Sequence, residues 1–331
     1  MARQMNPPLV SIITPTRNRR ALLEETIASV RAQTFADWEH LIVDDASSDD
    51  TRERIRPLGA ADPRLNLIPL GTPCERAAAR NTGLARARGQ FVLFLDDDDH
   101  LHPAALAAHL STLQSQPAAL ASVGGYEMFD ADGNARRMPV TRRARRVDAR
   151  PAVLFGWVPV SGQWLFRTET IRRLDGWDSA HIPIEDHVLL LQLTRLGRVA
   201  LLPQIVLRYR VHPGQWRPAN LEEMMTAVRE RAAQGDPAAG KILAARACFQ
   251  RANAQYWQGS SRTARRLYWQ ACRAAPALLR NPITRGMLLP PLLKSAAGRW
   301  GIRWGGKLRT WLRKISGREV QASVQITEPK P

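Results

Sequence analysis

The sequence predicts an α/β fold: a mostly parallel β-sheet flanked by helices, with a helical C-terminal extension. Three observations predict it. Short apolar runs rich in β-branched residues recur at 9–13, 40–43, 65–68 and 91–95, with helical patterns between them. Strand–helix alternation at that spacing builds right-handed βαβ units. Turn residues or acidic clusters follow three of the runs, at "TPTRN" (14–18), at Asp44–Asp45 and at Asp96–Asp99. Beyond about residue 220 the composition shifts to Ala, Arg, Leu and Trp with a helical period.

Each element follows from local pattern. "LVSII" (9–13) is the first strand, and residues 21–33 form a helix with Leu22, Leu23, Ile27 and Val30 on one face. "HLIVDD" (40–45) is the second strand. Ser47 and Ser48 precede a helix over 49–55, because short hydroxyl and acidic residues cap helix starts. "LNLI" (65–68) is the third strand. The Ala/Arg-rich stretch 74–87 is helical. "FVLFL" (91–95) is the fourth strand and runs straight into four aspartates. From about 120 to 150 the pattern loosens, and the arginine-rich stretch 130–150 reads as an exposed loop or irregular hairpin. Residues 157–167 and 199–211 read as extended, and 184–196 as a helix opening with "IEDH". A helical hairpin is expected to turn at Gly259–Ser261. Residues 294–314 hold seven basic and no acidic residues, and a helix there lines up Trp300, Trp304, Leu308, Trp311 and Ile315. The expected division is a catalytic domain over 8–219 and a helical, basic extension over 220–331.

Charge narrows the function. Forty-eight basic against 30 acidic residues give a net +18, which suits an anionic partner: a nucleotide, a phosphorylated lipid surface or a nucleic acid. Cys74, Cys248 and Cys272 lie far apart and form no CxxC, which argues against a zinc site or disulfide framework and for a reducing compartment. "LVSII" is too short for a signal peptide, and no apolar run approaches the ~20 residues of a spanning helix. The expectation is a cytoplasmic protein, or one lying on the inner face of the cell membrane. No nucleic-acid motif is present, so no nucleic-acid partner is expected.

Within so basic a chain, "FLDDDDHLHP" gathers four adjacent carboxylates. Such groups repel unless something positive sits among them. They either point into water at a loop tip or hold a hard divalent cation, Mn²⁺ or Mg²⁺, which bridges carboxylates to phosphates. Asp96 and Asp98 are the natural pair, since alternate residues of an extended chain point the same way. Ligands of parallel sheets bind outside the carboxyl ends of the strands. The turn at 14–18, Asp44–Asp45 and Asp96–Asp99 all fall on that edge.

Four stretches in order, "VSIITPTRNR", "LIVDDASSDDT", "AAARNTGLARARGQFVLFLDDDD" and "DGWDSAHIPIEDHVLLLQLTRLG", resemble a family 2 glycosyltransferase of the GT-A fold, the type that builds bacterial cell-surface glycans. The resemblance covers about residues 8–215. It implies that Thr14, Pro15, Thr16 and Arg17 lie against the nucleoside of a nucleotide-sugar, that Asp45 accepts a hydrogen bond from the base, and that Arg80 reaches the base or the phosphates. It makes Asp96 and Asp98 the DxD pair, with Asp98 the direct metal ligand and Asp97 replacing or assisting it or touching ribose. Asp186 becomes the catalytic base, with Glu185 beside it. Trp177 shapes the acceptor side, and His212 stands near the metal or the pyrophosphate. Two positions depart from the pattern: Glu75 where glycine is frequent, and Arg17 where an aromatic is frequent. The implied activity is inverting transfer of a sugar, from a UDP-sugar by expectation, to a hydroxyl of a glycan or lipid-linked acceptor. Two other readings stand beside it. One is a metal-dependent nucleotidyltransferase. The other is a non-enzymatic basic protein that binds nucleic acid or an anionic membrane.

Overall fold

The computed structural model describes residues 7–212, 218–289 and 291–292. The chain divides into two compact units: Met1–Val147 with Val158–Met224, and Asp148–Trp157 with Met225–Pro331. The single boundary expected at 219/220 is therefore replaced by an exchange, in which a ten-residue segment before position 158 belongs to the C-terminal unit.

The first unit begins with β1 (Val10–Thr16), α1 (Arg20–Arg31), β2 (Trp38–Asp44), α2 (Thr51–Ala61), β3 (Leu65–Pro69), α3 (Glu75–Arg86) and β4 (Phe91–Phe94). The four strands pair in parallel in the order β3-β2-β1-β4. Every residue of β1 and β2 is buried, which is why these strands read as continuous apolar runs rather than alternating ones. In register, Ile13 faces Leu41 on one side and Phe94 on the other. The carboxyl ends of the three strands therefore reach the same edge. Helix α3 lies close on β1, because a Cβ on Gly83 would come within 2.5 Å of the Ile13 side chain.

Beyond β4 the sheet becomes mixed. The chain continues through β5 (His100–Leu101), α4 (Ala105–Ser115), β6 (Ala121–Phe129), β7 (Ala135–Met138) and β8 (Arg145–Val147). It passes through α5 (Arg150–Phe155), which belongs to the second unit. It returns with β9 (Trp164–Arg167), α6 (Thr168–Arg172), α7 (Glu185–Leu196) and β10 (Val199–Arg210). The order runs on as β4-β9-β6-β10-β5, with β9 antiparallel to both neighbours and β6 parallel to β10.

Strand β6 is buried over most of its length, yet the sequence pattern gives no hint of it. Its apolar run is interrupted by Gly124–Gly125, where added Cβ atoms would meet Val206 at 2.6 Å and Ile205 at 2.8 Å. Close approach of the irregular neighbouring strand β10 selects glycine there and erases the strand signal. The arginine-rich stretch carries the short strands β7 and β8 rather than a plain loop.

The boundary between the units falls within α8 (Leu221–Ala233). The second unit also contains α9 (Pro237–Trp257), α10 (Ser261–Ala274) and α11 (Ala277–Arg280). Asp236 caps α9 by accepting from the N–H groups of Ala238 and Ala239, with Pro237 following as the first helical residue. Helices α9 and α10 form the hairpin expected at 259–261, with Gly259 in a left-handed turn conformation (φ +84°). Residues 294–314, with Trp300, Trp304 and Trp311, lie outside the described residues. Among the described residues, no helix is long and apolar enough to cross a membrane.

Candidate active site

The site is assembled at the carboxyl edge of β1, β2 and β4, with β10 and the start of α7 completing it. Tight backbone turns deliver its residues. Asn18, Ala46, Glu75 and Asp175 all have positive φ, between 54° and 67°; Asn18 and Ala46 follow the ends of β1 and β2, and Glu75 opens α3. Asn18 ties two loops together: its side-chain oxygen accepts from the Ser48 N–H at 2.8 Å, and its own N–H donates to Ser47 Oγ at 3.0 Å.

Asp45 follows β2. Its N–H donates to the Thr16 carbonyl at 2.8 Å, and its Oδ1 accepts from the Cys74 N–H at 2.6 Å, just ahead of α3. The same carboxylate also takes a side-chain hydrogen bond from the Cys74 thiol. Burial, and next the Asp45 carboxylate, push the Cys74 thiol up to about 11. Of the first-loop residues, Thr14 and Pro15 are buried within β1, and Thr14 Oγ1 pairs with His40 Nε2 at 2.8 Å inside the sheet. Thr16 turns to Asp97, and Arg17 is exposed on the bend beyond.

The four aspartates divide among three directions, with Asp97 and Asp98 sharing Arg19. Asp96 pairs with Arg80 at 2.6 Å and accepts from Ser161 at 3.4 Å. Asp97 accepts from Thr16 Oγ1 at 2.8 Å and from Arg19 at 3.2 Å. Asp98 meets Arg19 at 2.8 Å and His212 Nε2 at 3.1 Å through the same oxygen. Asp99 turns inward, accepting from the Arg210 N–H at 2.9 Å, while Arg210 Nε donates to the Asp98 carbonyl at 3.0 Å. Burial, reinforced by the neighbouring carboxylates, holds Asp99 well above the usual carboxylate range. Burial lifts Asp97 to about 7 against the pull of Arg19.

On the other side Arg80 is nearly inaccessible, with 2% of its surface exposed. Its guanidinium lies 4.3 Å from the Trp177 ring centroid and bridges Asp96 to Glu185, the latter at 3.2 Å. Burial works against its charge, and Asp96, Asp186 and Glu185 overcome it. Glu185 is also buried and pairs with Arg76 as well. Both of its oxygens are thus committed to arginines. Asp186, the next residue, is not so committed: its Oδ1 is buried without a hydrogen-bond partner. Burial, opposed first by Arg80 and assisted by Glu185 and Asp96, raises Asp186 to about 7.

Trp177 stands beneath Arg80 rather than at an open surface. It is 3% exposed, and its ring meets Phe94 edge-on at 4.9 Å. Asn81 clamps it, since the Asn81 side chain accepts from the Trp177 N–H and donates to its carbonyl, both at 2.8 Å. Gly176, at φ +75°, admits this clamp, because a Cβ there would lie 2.3 Å from Asn81 Oδ1. The "ARN" and "DGWD" motifs are two halves of one contact.

The structure brings Asp45, Asp96, Asp97, Asp98, Arg80, Glu185, Asp186 and His212 to one edge through shared partners. Asp96 and Asp98 take different partners, Arg80 with Ser161 and Arg19 with His212. Sequence reasoning missed Arg19, Arg76, Arg210 and Ser161. Arg19 and Arg76 lie inside quoted motifs or beside them and could have been weighed as counter-charges; Ser161 leaves no pattern. Among the described residues, no group of three or more His, Cys, Asp and Glu side chains converges on a common point. The Asp98 carboxylate and the His212 imidazole nonetheless make a donor pair that fits a divalent cation completed by water and phosphate oxygens.

Residues 11–175 match the family described as "Glycosyl transferase family 2". The chain is 39% identical over 126 residues to "Putative teichuronic acid biosynthesis glycosyltransferase TuaG" of Bacillus subtilis, a match that covers 38% of this chain and 50% of TuaG. It is 40% identical over 130 residues to "GalNAc(5)-diNAcBac-PP-undecaprenol beta-1,3-glucosyltransferase" of Campylobacter jejuni, covering 38% and 40% of the two chains. The chain thus spans half or less of the length of these curated relatives. Among solved structures, Staphylococcus aureus TarS 1–349 in complex with UDP-GlcNAc superposes with a TM-score of 0.62 at 19% identity, covering 89% of this chain and 92% of that one. That likeness is one of fold, a mixed sheet with helices on both faces. The chain belongs to glycosyl transferase family 2 and has the GT-A fold.

Proposed function

We propose that this chain transfers a sugar from a nucleoside-diphosphate sugar, a UDP-sugar first among candidates, to a hydroxyl of a lipid-linked glycan acceptor, with inversion at the anomeric carbon, in the synthesis of a bacterial cell-surface polysaccharide. One observation carries the reading. The Asp45 carboxylate, the Asp98–His212 pair and the raised Asp186 carboxyl lie on one sheet edge, as a base contact, a diphosphate end and a proton acceptor in this reading. Relatives named for teichuronic acid synthesis and for a diphosphoundecaprenol-linked acceptor support the acceptor class.

In this reading Asp45 Oδ2 accepts an N–H from the nucleobase, and Arg17, exposed on its bend, stacks on the base. Asp98 and His212 would hold Mn²⁺ or Mg²⁺, which would supply positive charge to the departing diphosphate. Asp97 stays bound to Thr16 and Arg19 or turns to ribose. Arg80 and Asp96 form a fixed pair that keeps positive charge next to Asp186. Asp186 removes the acceptor proton as the hydroxyl attacks, a role that typically contributes ~10²–10⁴-fold. Inversion suits this arrangement, because Glu185 is sequestered by two arginines and leaves Asp186 as the carboxylate with a free oxygen. A lipid-linked acceptor places the reaction at a membrane surface, with the basic Trp-containing stretch 294–314 as one contact.

A panel of nucleotide-sugars with Mn²⁺, read by release of free nucleoside diphosphate, tests the proposal. Wild type releases diphosphate from at least one donor, and Asp98→Asn and Asp186→Asn lose that release. Pyrophosphate as the product would assign a nucleotidyltransferase instead, and variants as active as wild type would refute the site.

A further inference from the structure

The second unit has a charge distribution that the catalytic reading does not use. From Pro237 to Leu289 there is no Asp or Glu, against nine basic residues. The hairpin of α9 and α10 closes on an apolar seam. Ile242, Ala245, Phe249 and Ala252 are buried against Ala264, Tyr268 and Ala271, and Tyr268 Oη donates to Asn253 Oδ1 at 2.5 Å. Among the described residues, the outer face of α10 is exposed. On it stand Arg262, Arg265, Arg266, Trp269 and Arg273, all exposed. Residues three and four apart on a helix are neighbours. Trp269 therefore sits between Arg265 and Arg266 on one side and Arg273 on the other. None of these four arginines has an ion-pair partner among the described residues.

Trp269 is 55% exposed, and Trp257, at the end of α9, is 51% exposed. A large indole thus stands in water with arginines around it. Indole is also the side chain that settles at the boundary between lipid headgroups and acyl chains. Anionic headgroups attract neighbouring basic side chains, each strengthening binding by about fivefold. A convex helix face with a central tryptophan and a ring of arginines matches a broad, flat anionic surface. A nucleic-acid strand is better matched by a groove that tracks its backbone, and this face has none.

We propose that the outer face of α10, with Trp269 at its centre and Arg262, Arg265, Arg266 and Arg273 around it, docks on an anionic phospholipid bilayer. This surface is distinct from the catalytic edge, and it does not depend on the assignment of Asp45, Asp98 or Asp186.

The test is co-sedimentation of the full chain with vesicles of phosphatidylcholine alone or with phosphatidylglycerol added. Wild type binds the anionic vesicles, and raised salt releases it. The triple variant Arg262→Gln/Arg265→Gln/Arg266→Gln loses about 100-fold in partitioning, with its thermal midpoint unchanged. A second variant, Trp269→Phe, shows less tryptophan quenching by brominated lipid than wild type and confirms insertion without altering charge. Equal binding by wild type and the triple variant, with equal quenching in Trp269→Phe, overturns the proposal and leaves any lipid contact to another part of the chain. Tighter retention of wild type on duplex or single-stranded DNA than on anionic vesicles at the same salt, lost in the triple variant, overturns it in favour of a nucleic-acid surface.

Discussion

The raised carboxyl of Asp186 makes a quantitative prediction about pH. A general base must be ionised, and Asp186 holds its proton up to about 7 because burial disfavours the charged form. Activity therefore appears as pH rises through 7 and is lost below it. The ionised fraction is about nine-tenths at pH 8 and about one-hundredth at pH 5, so kcat/KM falls about 90-fold across that span. The same shift acts on stability in the opposite sense. Between the ordinary aspartate range and 7 the folded state holds a proton that the unfolded chain releases, so this group's contribution falls as pH rises through that window. Arg76, partly exposed, lowers the Asp186 value through its charge. Arg76→Gln therefore moves the acid limb of the profile to higher pH while Arg80 keeps Glu185 paired. The assay is initial-rate release of nucleoside diphosphate from pH 5 to 9 at subsaturating donor and acceptor. A flat profile down to pH 5, or an Arg76→Gln limb displaced to lower pH, would refute the reasoning.

Three further outcomes follow from particular contacts. Arg19 occupies the Asp98 oxygen that His212 also meets, so Arg19→Gln tightens Mn²⁺ binding in the absence of nucleotide by about fivefold, the scale of a partly exposed ion pair, as read by electron paramagnetic resonance titration; unchanged or weaker binding contradicts it. Glu75 holds φ +67° where an L-residue is strained, so Glu75→Gly raises unfolding free energy by about 0.5–1 kcal/mol in urea, and a loss of stability contradicts it. Asn81→Ala removes both hydrogen bonds to Trp177, costs about 1–3 kcal/mol, and leaves Arg80 on a loosened platform, so transfer falls with stability; a neutral effect shows that the clamp is idle.

Much of this was legible in the sequence. Strands β1, β2 and β4 announce themselves because burial on both faces favours apolar runs, and parallel pairing then fixes the edge on which Asp45 and Asp96–Asp99 emerge. Glu75 shows how a departure from a family pattern carries physical information: the backbone keeps the left-handed turn that glycine would adopt without strain. What stayed hidden depends on tertiary approach. Strand β6 is disguised by the glycines that Val206 and Ile205 require. The destinations of the four aspartates could not be read from their adjacency, because they are set by partners distant in sequence: Arg80 for Asp96, Thr16 for Asp97, His212 for Asp98, Arg19 for both Asp97 and Asp98, and Arg210 for Asp99. Trp177 likewise reads as a candidate acceptor wall and is found as the support of Arg80. The brief exchange of 148–157 into the second unit leaves no trace in composition.

The most direct measurement of the central claim is a crystal structure of the chain with UDP and Mn²⁺ bound. The account predicts the uracil hydrogen-bonded to the Asp45 carboxylate, the cation on Asp98 and His212, and the diphosphate pointing toward the edge that carries Asp186. Nucleotide bound elsewhere, with Asp45 and Asp98 both out of contact, would contradict it.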